Sequence, residues 1–157
     1  MFGWFRSILF RDAQLGELRR SGGLWKGSIV LAQCGTFRLS LAGNSKAPDP
    51  MAVKLAKELP GQIQALIPKI QNGLFEHYTP YKEAVDAGEE TGGSCPQITS
   101  TEAVWQHVEP THVLIEPLRG VWRVEIAFRT EWDVEHTVAA IFQDWRFVEL
   151  NGSVRGQ

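Results

Sequence analysis

Residues 121–142, VWRVEIAFRTEWDVEHTVAAIF, carry the clearest periodicity in the chain. In the first half Trp122, Val124, Ile126 and Phe128 alternate with Arg123, Glu125, Ala127, Arg129 and Glu131. A period of two is that of a strand with one buried face, here 121–131. An apolar run resumes at His136 as a second strand, 136–142, so the residues from Trp132 to Glu135 form the turn. Strands joined by so short a connection pair antiparallel. A strand over 112–118, ended near Pro117 and Gly120, precedes them, and one over 145–150 follows a turn at Gln143 and Asp144.

Toward the N-terminus the same signal recurs over 15–20, 24–31 and 36–42, with Ser21-Gly22-Gly23 and Gln33-Cys34-Gly35 as the reversals. Between the two strand groups lies a helical period: Met51, Leu55 and Leu59, then Ile63, Leu66, Ile67, Ile70, Leu74 and Tyr78. Asp49 followed by Pro50 marks its start. Pro60-Gly61 and Pro68 predict a break or kink, and Pro80 a bend or an end. Residues 86–96 have no apolar period and read as an exposed, mobile loop. Thr99 with Glu102 three residues later is a capping-box pattern for a short helix over 100–108, anchored by Val104 and Trp105. Strands clustered around a helical middle predict an α+β fold. The expected form is an antiparallel sheet of about six or seven strands, packed on one face by a kinked helix or helix pair.

A chain of 157 residues argues for a single domain, 1–157, with an apolar N-terminal segment (1–12) and a polar tail (151–157). Sixteen Lys and Arg against 18 Asp and Glu leave a net charge of −2, which removes a basic nucleic-acid platform. Phe2, Trp4, Phe5, Ile8, Leu9 and Phe10 are interrupted by Arg6, so they make neither a signal peptide nor the ~20-residue apolar run of a membrane span. A cover over an apolar edge of the domain is the expected role of this segment; an interfacial anchor through Trp4, Phe5 and Phe10 is the alternative. Cys34 and Cys95 stand 61 residues apart outside any CxxC, which fits reduced thiols in a cytoplasmic protein and leaves no zinc-ligand spacing. HExxH, GxSxG, GxxxxGK[ST] and a strand-borne GxGxxG are all absent, and no cofactor is expected.

The one conspicuous cluster is the 131–136 turn, Glu131-Trp132-Asp133-Val134-Glu135-His136. Asp133, Glu135 and His136 suit acid–base work or a divalent cation. The plainer reading is a turn in which Asp133 caps backbone N–H groups, with Glu135 and His136 exposed at a strand start. His107, Glu109 and His112 flank a helix-to-strand loop and, with His136, give a further conceivable ligand set. Trp132 and Trp145, read as lying near turns at one end of the sheet, either close the core there or anchor an interface.

This Trp-Asp-x-Glu-His turn between two C-terminal strands resembles an uncharacterised family of small bacterial domains of unknown function. Leu15-Gly16-x-Leu18, Trp25-x-Gly27 and Leu74-x-x-x-Tyr78 extend the resemblance over most of the chain. Thr137 stands where relatives have Gly, and Gln143-Asp144-Trp145 replaces their tight Asp-Gly hairpin. Some relatives lie in toxin–immunity neighbourhoods, which implies inhibitory binding rather than catalysis. The expectation is therefore a non-catalytic interaction protein that meets a basic partner surface through Trp132, Asp133, Glu135, His136 and Trp145. An acid–base or metal-dependent hydrolase using Asp133, Glu135 and His136 is the rival. A homodimer through an open sheet edge is possible in principle.

Overall fold

The computed structural model of the protein describes residues 8–151. Eight strands form one sheet, and their order in the sheet is their order in the chain. They are β1 (Leu9–Asp12), β2 (Gly16–Ser21), β3 (Leu24–Leu31), β4 (Gly35–Leu41), β5 (Val108–Leu118), β6 (Val121–Thr130), β7 (Thr137–Gln143) and β8 (Arg146–Asn151). One long helix, α1 (Pro50–Asp86), and a 3-10 helix (Glu102–His107) connect β4 to β5. The fold is α+β, with two corrections to the expected sheet. There are eight strands, because Leu9–Asp12 of the apolar N-terminal segment pairs with β2. One pair is parallel, β4 with β5, since a connection that carries a whole helix returns the chain in the same direction. Phe10 packs edge-on against Trp25, while Trp4 and Phe5 lie outside the described residues. Asn151, expected to open the tail, is the last residue of β8.

The helix also differs from expectation. Asp49 accepts a hydrogen bond from the Met51 N–H at 2.8 Å, and Pro50 occupies the first turn, as the sequence predicts. Neither Pro60-Gly61 nor Pro68 nor Pro80 ends it. A proline in a helix interior costs about 3 kcal/mol, through one lost backbone bond and a clash with the preceding turn. All three prolines stand on the exposed side, where water can serve the freed carbonyls, while Ala52, Ala56, Leu59, Ile63, Ile70 and Leu74 bury the opposite side. Burial of that stripe, about 1.5–3 kcal/mol for each large aliphatic, outweighs the prolines. The helix ends where Gly88 adopts φ +88°, with the Gly88 N–H bonded to Val85 O and the Glu89 N–H to Ala84 O. Those two bonds and a left-handed glycine are the usual C-terminal closure. The 102–107 segment is 3-10 rather than α, and at its start Ser100 Oγ accepts from the Ala103 N–H at 3.3 Å.

The buried residues of α1 share one core with Trp25, Phe37, Leu39, Val113, Ile115, Val124, Ile126 and Phe128. Their strand neighbours stand on the opposite face: Lys26, Arg38, Ser40, Leu114, Arg123, Glu125 and Arg129. Gly27 is what lets Leu18 into the core, since a Cβ there would sit 2.6 Å from Leu18 Cδ2. At Gly73 the helix comes close to β8, within 3.3 Å of Phe147 for an added Cβ.

Candidate functional site

The 131–136 turn is braced from inside. Trp132 is 1% exposed, and its indole Nε1 donates to His77 Nδ1 on α1 at 2.9 Å. Tyr81, one helical turn further on, donates its hydroxyl to Asp133 Oδ2 at 2.8 Å. The other carboxylate oxygen accepts from the Glu135 N–H at 3.2 Å and faces His136 Nδ1 at 3.0 Å. Asp133 N–H bonds Thr130 Oγ1, and His107 Nδ1 pairs with Glu131 Oε2 at 2.8 Å. Burial pushes the Asp133 carboxyl up, but the hydrogen bonds from Tyr81 and His136 outweigh it and hold the group below its ordinary value. Tyr81, partly buried and bonded to that carboxylate, is pushed up to about 12. His77 is held below its ordinary value, first by burial, which keeps Nδ1 free to accept the indole proton.

Asp133 thus accepts from Tyr81, the Glu135 N–H and His136 within the turn, and the Glu135 contact is the backbone capping that the plainer sequence reading describes. Trp132 closes the core and is not an exposed anchor. Glu135 and His136 are exposed, and Val134 at the tip is 63% exposed. Trp145 does not join them. The turn that carries it lies at the other end of β7, because successive hairpins of a meander alternate ends. There Asp144 and Trp145 both adopt positive φ, 50° and 57°, the pattern of a two-residue hairpin turn. Trp145 Nε1 donates to Glu58 Oε2 at 3.2 Å, near the start of the helix, whereas Trp132 meets its far half. The loop before Pro96 is pinned too. A Cβ at Gly93 would meet Glu131 O at 2.6 Å, and the Tyr78 hydroxyl donates to Pro96 O.

A second location emerges on the face opposite the core. In β5 the register slips between Pro110 and Val113, so that Thr111 and His112 together oppose Ala127. This is a β-bulge, the device that re-aims side chains and is frequent beside functional sites. Thr111 is 8% and His112 6% exposed, and neither Thr111 Oγ1 nor His112 Nε2 has a hydrogen-bond partner. Both line a depression of about 440 Å³ together with Arg38, Arg129, Glu135 and His136. Burial first, then the nearby Arg38 charge, hold His112 below its ordinary value. A signal of the bulge was present in the sequence: apolar residues change phase from Val108 and Pro110 to Val113 and Ile115. On the same face Glu125 pairs with Arg123, and burial nonetheless pushes the Glu125 carboxyl up.

Among the described residues no three of His, Cys, Asp and Glu gather as a metal-holding group. Asp133, Glu135 and His136 thus assemble no such set, nor do His107, Glu109 and His112. Cys34 and Cys95 are unpaired, and burial pushes the Cys34 thiol up to about 11, which removes its thiolate at neutral pH. No described helix is long and apolar enough to cross a membrane. Neither curated proteins nor solved structures give a match to the chain. Residues 14–155 match the family described as "Domain of unknown function (DUF6985)", and the chain belongs to it.

Proposed function

We propose that the protein is a non-catalytic interaction module that meets a basic protein partner through the tip of the 131–136 turn. The observation that carries this reading is the bracing of the turn. Side chains of α1 hold Trp132 and Asp133, while Val134, 63% exposed, stands in the sequence between Glu131 and Glu135, both exposed. A loop fixed before binding loses little conformational freedom on docking, which favours affinity. Its acidic flanks would steer a basic surface toward the exposed valine. Trp132 and Asp133 serve this surface from behind, by holding its shape, and the exposed His136 stands on it beside Glu135. An immunity-like role in a bacterial cytoplasm, with the partner an effector protein held inactive, is the form the family resemblance implies. The hydrolase reading is the weaker one, because the Asp133 oxygens are already occupied by donors.

Site-specific photo-crosslinking in the native host tests this. A photoreactive residue at position 134 is expected to yield a discrete adduct that a control at position 72, on the exposed side of α1, does not. Glu135→Lys should abolish that adduct while circular dichroism stays unchanged. No adduct at 134, or the same adducts at both positions, would overturn the reading.

A further inference from the structure

We propose that the Thr111–His112 bulge builds a binding site for the oxyanion group, phosphate or carboxylate, of a small molecule. The reasoning starts from what the bulge costs. It breaks the β5–β6 ladder and buries two polar side-chain atoms, Thr111 Oγ1 and His112 Nε2, with no partner. An unmet buried polar atom costs free energy, so native structures rarely keep two side by side without a use for them. Both residues line the depression that Arg38 and Arg129 also line, and the two atoms themselves lie buried in its wall. Among the described residues neither arginine takes part in an ion pair. Guanidinium groups present forked N–H donors that match the oxygens of phosphate and carboxylate. The hydroxyl and the neutral imidazole each supply one further donor, given the Nε2–H tautomer. One carboxylate, Glu135, stands at the rim against these two guanidinium charges. A depression of about 440 Å³ is of the size that holds small ligands.

The site is independent of the partner reading, although Glu135 borders both. The two respond to Glu135→Lys in opposite directions: partner capture is lost, whereas an oxyanion gains a cation and binds more tightly. The test is a titration of the folded protein with inorganic phosphate and, separately, with acetate, following the His112 imidazole by NMR at constant ionic strength set with chloride. A saturable shift of the His112 signal is expected with at least one of them. Which of the two saturates at lower concentration identifies the oxyanion class. Arg38→Gln and Arg129→Gln, both at exposed positions, should each weaken binding about tenfold, the effect of removing one charged hydrogen-bond donor. Should His112 fail to shift with either anion, or shift equally with chloride, the two buried atoms are met by solvent alone and the proposal falls. It falls too if the shift saturates identically in both arginine variants.

Discussion

His77 and Asp133 tie the C-terminal half of α1 to a turn more than fifty residues away in sequence, and both ties depend on protonation. A protonated His77 has no acceptor for the Trp132 indole. Its folded value is held below 6.5, as is that of His112, so below that pH the unfolded chain binds protons that the folded chain does not. Stability is therefore expected to fall as pH drops from about 6.5, with Asp133 adding a further loss as pH falls below its ordinary 3.8. Urea midpoints between pH 7.5 and 5 will show this. His77→Gln, which keeps an acceptor for the indole but does not titrate, should flatten the slope, and an unchanged slope would refute the assignment. Trp132→Ala should cost about 3–5 kcal/mol, as a large aromatic removed from a core. Partner-binding tests therefore belong on Val134 and Glu135. On the opposite face, removing only Arg123 or only Glu125 strands a mostly buried charge and should cost about 3 kcal/mol or more. The double replacement Arg123→Met with Glu125→Leu should lie within about 1 kcal/mol of the wild type, because desolvation of the pair nearly offsets its attraction. Chemical denaturation of the three variants decides it.

At the scale of elements, α1 shows how burial overrides local propensity. A helix containing Pro60, Gly61, Pro68 and Pro80 reads as broken or kinked, yet it continues through all of them as one element with its apolar stripe buried. Gly61 lies on the exposed side and an added Cβ there meets nothing within 4 Å. Gly61→Ala is accordingly expected to raise stability by about 0.5–1 kcal/mol, read as a higher urea midpoint at unchanged m-value. The β-bulge is the converse case. There the strand keeps its local character, and a single extra residue redirects two side chains to the face that carries the arginines.

For the whole molecule, the sheet runs β1 to β8 in chain order with the parallel pair at its centre. The middle strands lie in the core with α1, whereas among the described residues β1 and β8 each pair on one side only. Amide hydrogen exchange should therefore be slowest in β4, β5 and β6 and fastest in β1. Uniform protection across the sheet would show that it opens only as a unit.

Seven of the eight strands, the helix start at Asp49 and the plainer role of Asp133 were legible in the sequence, because each follows from local periodicity or from bonds within a few residues. The eighth strand hid in an apolar segment in which Ile8, Leu9 and Phe10 follow one another without alternation, and only its pairing with β2 defines it. Unbroken passage of the helix through three prolines depended on which side of the helix met the core. Burial of Trp132 depended on His77 and Tyr78, and the separation of Trp132 from Trp145 on the path of β7. The depression around His112 needed Arg38, Arg129 and the 135–136 segment to arrive from three other parts of the chain. Period and capping are properties of neighbouring residues, so the sequence by itself determined the α+β class and most elements. Exposure, charge pairing and the convergence of distant side chains exist only after packing, and for these the tertiary structure alone decided.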